Sequence, residues 1–136
     1  MNYVGGCCCG ALRYVSNLPP LECGYCHCLT CQKTSAAPAL VFASFPSNDF
    51  RYTSGRPAIY PSSSHGNREF CSKCGTQIAF REAEGSESVD VNVGSLDDPL
   101  AVSPEYHIWC QSRISWFQTA DSLPEYQQGK PEVNGT

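Results

Sequence analysis

The chain has 136 residues, enough for one domain with a modest core, and its 41% hydrophobic content is that of a folded chain. Nine Lys and Arg against thirteen Asp and Glu give a net charge of -4 without any basic run, which argues against a nucleic-acid or anionic-membrane surface. No apolar stretch approaches a membrane-spanning length, and MNYVGGCCCGALRY lacks the pattern of a secretory leader, so a cytoplasmic protein is expected.

From the N-terminus, residues 10–15 read as a half-buried strand, with Leu12 and Tyr14 alternating against polar or small neighbours. Pro19 and Pro20 break it, because proline cannot donate to a ladder. Residues 29–35 can make one or two helical turns before Pro38. Residues 39–45 form the strongest strand candidate, with Leu40 and Phe42 on one side and Val41 and Phe45 supporting burial on the other.

Short β-like runs follow at 50–52, 58–60, 77–80 and 88–93, punctuated by Gly, Pro, Ser and Asp. Residues 62–67 read as a polar loop with a solvated His65, and 81–87 as a charged hairpin tip. Asp97, Asp98 and Pro99 read as a turn. His107 and Trp109 alternate onto one face, where packing is the expected role. The pattern predicts a mainly β single domain of short antiparallel strands with little helix, over residues 1–126, and a loose tail over 127–136.

Ten cysteines are the compositional anomaly. Their close CxC and CxxC spacings favour metal over disulfide, since a disulfide staple gains most by joining distant segments. Cys7 and Cys9 are two apart, so on an extended segment both sulfurs face one side and Cys8 faces the other. Cys71 and Cys74 have the spacing of a zinc knuckle, and Gly75 permits the positive φ that turns backbone amides toward the sulfurs. These four thiolates suffice for a closed tetrahedral zinc site that staples a small core.

Cys26, Cys28 and Cys31 form CxCxxC. Three thiolates leave a fourth zinc position for water or substrate, and a soft thiol would suit it. Recruiting Cys23 instead would close the site, and spacing permits both arrangements. His27, between two of these cysteines, should point away from them, toward a supporting hydrogen bond or a substrate.

The order of GGCCCGALRY (5–14), CHCLTCQK (26–33), REFCSKCGTQI (68–78), VGSLDDP (93–99), HIW (107–109) and SWFQTADSLPEY (115–126) resembles the glutathione-dependent formaldehyde-activating (GFA) enzyme family, which includes the centromere-protein-V-like domains. The resemblance implies a β-rich, tent-like fold with two zinc ions per chain. It assigns Cys7, Cys9, Cys71 and Cys74 to a structural ion, and Cys26, Cys28 and Cys31 to a second, catalytic one. The implied activity is that of a carbon–sulfur lyase joining a thiol such as glutathione to formaldehyde or a related small aldehyde, giving S-hydroxymethylglutathione.

Cys8, Cys23 and Cys110 have no place in this scheme. Lys33 and Arg68 flank the motifs and could meet a glutathione carboxylate, although surface charge is the simpler expectation. Two other readings compete: a zinc-stapled binding module without turnover, and a redox sensor in which Cys23 pairs with a neighbour and ejects zinc.

Overall fold

In the computed structural model, which describes residues 2–131, side-chain alternation along short strands sorts the chain into two sheets. Strand makes up 38% and helix 12%, so the fold is mainly β as expected. A three-stranded antiparallel sheet has the order β1 (Tyr3–Gly6), β2 (Arg13–Ser16) and β5 (Arg51–Ser54).

The larger sheet contains β3 (Glu22–Cys26), β4 (Leu40–Pro46), β6 (Ala58–Ser63), β7 (Gly66–Phe70), β8 (Gln77–Glu82), β9 (Ser88–Asn92) and β10 (His107–Ile108). Its order is β10-β3-β4-β9-β8-β7-β6. All its pairings are antiparallel except β10, which lies parallel to β3 through His107–Tyr25 and Ile108–Cys26; the expectation of antiparallel strands is corrected at that edge. The single α-helix among the described residues, α1 (Leu29–Ser35), follows the end of β3. Among the described residues no helix is long and apolar enough to cross a membrane.

Register gives the large sheet two different faces. Cys23, Ala43, Val91 and Ala79 are successive cross-strand partners and are all buried, with Phe45 and Val89 beside them. Leu12, Tyr14 and Phe50 of the small-sheet side complete this core, with the Tyr14 and Phe50 rings 5.1 Å apart. The other face carries the row Glu22, Ser44, Asp90, Phe80 and Arg68, and a second row of Gly24, Phe42 and Asn92. Cys26 opposes Leu40 on that same face. One face therefore builds the core, and the other builds the site.

Three strands are not evident in the sequence. β1 and β3 carry glycines, and β7 reads Gly-Asn-Arg-Glu-Phe. Its Arg68 and Glu69 are both buried, and Glu69 accepts from Tyr52 at 2.7 Å and pairs with Arg81. Charge pairing thus replaces the apolar alternation that marks a strand. Residues 62–67, expected as a loop, are largely the ends of β6 and β7, and His65 at their turn is exposed as expected.

At the C-terminus, the Gln127 and Gln128 carbonyls accept from Gln111 and Trp109 N–H groups at 3.2 and 2.9 Å. The Lys130 ammonium sits 4.8 Å over the Tyr106 ring. Residues 132–136 of the expected tail lie outside the described residues.

Candidate metal centres

The turn after β1 presents Cys7 and Cys9, and the turn between β7 and β8 presents Cys71 and Cys74. All four sulfurs lie within 4.8 Å of one another. Four thiolates around zinc at about 2.3 Å stand roughly 3.8 Å apart. The separations here are 3.6 Å for Cys7–Cys9 and 3.8 Å for Cys9–Cys71. Both are nearly twice the ~2.05 Å of a disulfide bond, and all ten cysteines are free.

Backbone amides converge on the same sulfurs. Leu12 N–H donates to Cys7 Sγ at 3.1 Å, and Lys73 and Cys74 N–H donate to Cys71 Sγ at 3.4 Å. Gly75 has φ 81° and closes the turn by donating to the Cys71 carbonyl at 2.8 Å. The Thr76 hydroxyl beside Cys74 holds its thiol down at about 5. Such donors favour thiolate over thiol, the form a metal requires.

The second cluster is built where β3 runs into α1. Cys26 ends the strand, Cys28 caps the helix by accepting from Cys31 N–H at 3.2 Å, and Cys31 lies in the first turn. These three sulfurs also lie within 4.8 Å of one another, with Cys26 and Cys31 at 3.3 Å. Hydrogen bonds from the Cys26 and Cys31 thiols hold the Cys28 thiol down, and the same bonds push Cys26 up.

Cys23 does not join them. It faces the main core at 2% exposure, where burial pushes its thiol up to about 11. Cys8 is exposed and Cys110 lies in a short turn, both apart from the two clusters.

The three-sulfur cluster opens onto a cavity of about 220 Å³. Phe42, Phe80, Ile108 and Trp109 form its apolar walls, and Arg68, Asp90 and Asn92 its polar ones. Arg68 is not the surface charge expected from the sequence. It is only 7% exposed, its Nη2 lies 3.7 Å from Cys31 Sγ, its Nε donates to Ser62 Oγ at 3.1 Å, and its guanidinium packs 5.1 Å over Phe80. Lys33 is exposed, as expected.

Behind the cluster, His27 is fully buried and its Nε2 lies 2.8 Å from His107 Nδ1. His107 Nε2 lies 3.2 Å from both carboxylate oxygens of Asp121, and Arg113 Nη2 reaches His107 Nδ1 at 3.1 Å. Burial, reinforced by Arg113, pushes His27 down to about 4, so it is neutral at physiological pH. His27 thus points away from the sulfurs into a supporting hydrogen bond, one of the two roles expected for it. His107 is buried as expected and also bonded, while Trp109 adopts φ 58° and turns to the cavity.

Asp90 and Asn92 were missing from the candidate residues, and Arg68 was weighed as a contact for a carboxylate but expected at the surface. Asp90 and Asn92 did leave a sequence signal, as the polar positions that alternate with Val89, Val91 and Val93 in an expected strand.

Both clusters could hold a metal, and their all-sulfur donors are compatible with zinc. A Schizosaccharomyces pombe protein named as an uncharacterized lyase is 34% identical over 94 residues, covering 66% of this chain and 65% of that protein. A Halomonas elongata protein provisionally named as a glutathione-dependent formaldehyde-activating enzyme is 26% identical over 123 residues, covering 84% and 78%. A crystal structure of a Rhodobacter sphaeroides protein shares the fold at TM-score 0.57 and 22% identity, over 74% of this chain and 91% of that one. The model of the glutathione-dependent formaldehyde-activating enzyme family matches residues 2–112, a span that contains both cysteine clusters and every residue lining the cavity at the second. The chain belongs to that family.

Proposed function

We propose that the chain is a zinc-dependent carbon–sulfur lyase that joins glutathione, or a similar small thiol, to formaldehyde or a related aldehyde. Its working domain is residues 1–126, with zinc held structurally by Cys7, Cys9, Cys71 and Cys74. The observation that carries this reading is a cluster of three sulfurs, buried Cys26 and Cys31 with half-buried Cys28, opening onto a cavity while Cys23 faces elsewhere. A fourth sulfur would make a closed clip; three leave room for a reactant.

Zinc held by these three residues supplies Lewis acidity toward a thiol sulfur or a carbonyl oxygen. Three thiolates leave one negative charge beyond what a divalent ion neutralises, and Arg68 beside Cys31 offsets it. Phe42, Phe80, Ile108 and Trp109 exclude water, which would otherwise hydrate the aldehyde. Asn92 places an amide in the same cavity, able to bond the aldehyde oxygen or the thiol's peptide groups.

Exchange NMR with isotope-labelled formaldehyde and glutathione tests the reading. The two-zinc protein is expected to accelerate interconversion with S-hydroxymethylglutathione, and a folded Cys31→Ala variant is expected to lose that acceleration. Two bound ions without acceleration would leave the non-catalytic binding module as the better reading.

A further inference from the structure

Asp90 is set apart from the other acidic residues by its place in the sheet. It lies in the middle of β9, directly opposite Ser44 on β4 and Phe80 on β8, on the face that carries Cys26 and Arg68. Its neighbours Val89 and Val91 point to the main core, so strand alternation commits Asp90 to the cavity side. Ser44 Oγ, itself buried, donates to Asp90 Oδ1 at 2.6 Å and fixes the carboxyl rotamer. Among the described residues no donor reaches Oδ2. A carboxyl held at one oxygen and lining the same small cavity as three sulfurs is built for contact with a reactant.

We propose that Asp90 is the proton-transfer group of this cavity, giving a proton to the aldehyde oxygen as the carbon–sulfur bond forms and taking it back as that bond breaks. The inference rests on the lyase reading above and adds a catalytic residue to it.

The step balances without an external oxidant or reductant. Sulfur supplies the electron pair of the new carbon–sulfur bond, and the carbonyl π pair moves to oxygen. Asp90 in its acid form protonates that oxygen, giving the hydroxyl. The proton released by the thiol restores the acid form of Asp90. In reverse, the Asp90 carboxylate removes the hydroxyl proton, the carbonyl re-forms, and the departing sulfur recovers a proton.

The surroundings suit this work. Burial pushes the Asp90 carboxyl up, the Ser44 hydroxyl pulls it back, Glu22 on β3 and Glu82 on β8 push it up again, and Arg68 on β7 pulls it down. The thiols of Cys26, Cys28 and Cys31 complete the ionisable groups of the cavity. A carboxyl raised above its ordinary value keeps its proton to a higher pH than an exposed aspartate does.

The test uses the zinc-loaded, full-length protein with Asp90→Asn, which keeps the shape and an acceptor for Ser44 but cannot exchange a proton. The variant is expected to keep both zinc ions and its glutathione affinity by calorimetry, while the exchange rate falls about 100-fold or more. Infrared titration of the wild type is expected to show a protonated-carboxyl band persisting above the ordinary aspartate range, absent in Asp90→Asn and shifted to higher pH in Ser44→Ala. Acceleration that survives in Asp90→Asn would overturn this role alone. A wild type that binds zinc but gives no acceleration would overturn the lyase reading and this role with it. A missing Asp90 band would overturn the role whatever the activity.

Discussion

Nε2 of His27 lies 2.8 Å from Nδ1 of His107, joining two fully buried rings that are 80 positions apart in the chain. The bond ties the segment carrying Cys26 and Cys28 to the short strand β10, and Asp121 fixes the far side of His107. Its direction follows from the partners: His107 gives its Nε2 proton to Asp121 and accepts at Nδ1 from His27 and Arg113.

His107→Ala is therefore expected to cost about 2–4 kcal/mol, from a cavity and from donors left unpaired in the interior. His107→Phe, which refills the volume and keeps an aromatic ring against Tyr25, should recover the packing part only. Urea unfolding gives the cost. Zinc capture by a chelator should quicken at the second cluster and not at the first, and equal quickening at both would refute a local positioning role.

The two clusters should differ in how they release metal. Cys7, Cys9, Cys71 and Cys74 link two turns that are distant in sequence, whereas Cys26, Cys28 and Cys31 belong to one short segment facing a cavity. A mild chelator is expected to remove one zinc with little change in circular dichroism, and the second only with loss of the fold. Cys71→Ala should prevent stable folding, while Cys31→Ala should remain folded with a single ion. Loss of fold in both variants would place both ions in a purely structural role.

Arg68 gives a third test. Its guanidinium bonds to Ser62 Oγ and approaches Cys31 Sγ, an arrangement a lysine cannot reproduce. Arg68→Met should weaken zinc binding at the second cluster about 10- to 100-fold and leave the first unchanged. Arg68→Lys, which keeps the charge without the fork, should fall between. Competition with a chromogenic chelator measures both, and unchanged affinity in Arg68→Met would show that the charge is screened from the site.

Much of this site was legible because metal ligands must be close in sequence or carried by special turns. Cys7 with Cys9, Cys71 with Cys74, and Cys26 with Cys28 and Cys31 all announce themselves by spacing, and the structure brings each set together. Whether Cys23 completes the second set depended on a strand. β3 reads Glu-Cys-Gly-Tyr-Cys, with neither a β-branched residue nor clear alternation, so its register could not be read ahead. Once paired with β4, Cys23 and Cys26 must face opposite sides, since they are three residues apart along a strand of period two. The cavity positions of Arg68 and Asp90 were hidden for a related reason: both residues reach it through pairings across four strands that no local pattern encodes.

Gly24 tests that register directly. A Cβ there would stand 2.5 Å from Tyr106 Cε1, and the Tyr106 ring is buried, packed near Phe42 and tied to Glu22 by its hydroxyl. Gly24→Ala should therefore destabilise by about 1–3 kcal/mol through overpacking. Because β3 delivers Cys26, the variant should also lose zinc faster from the second cluster. Adding Tyr106→Leu should relieve the clash and recover part of the stability. A Gly24→Ala protein as stable as wild type would mean that the ring yields freely.

Acid sensitivity should arise in part at Asp49. Its Oδ2 accepts from the N–H groups of Asn17 and Leu18 at 2.6 and 2.8 Å and from the Ser16 hydroxyl at 2.9 Å, pinning the chain after β2. These bonds, led by the one from Leu18, hold the carboxyl below its ordinary value of 3.8. The ionised form is the bonded form, so the contribution is fully present above pH 3.8 and is lost as the pH falls through the lower folded value. Asp49→Asn should thus be less stable than wild type at neutral pH, and the gap should narrow as the solution is acidified below that range. Urea midpoints for the two proteins, taken at neutral and acidic pH, read this out. A gap independent of pH would assign Asp49 a role of shape rather than of charge.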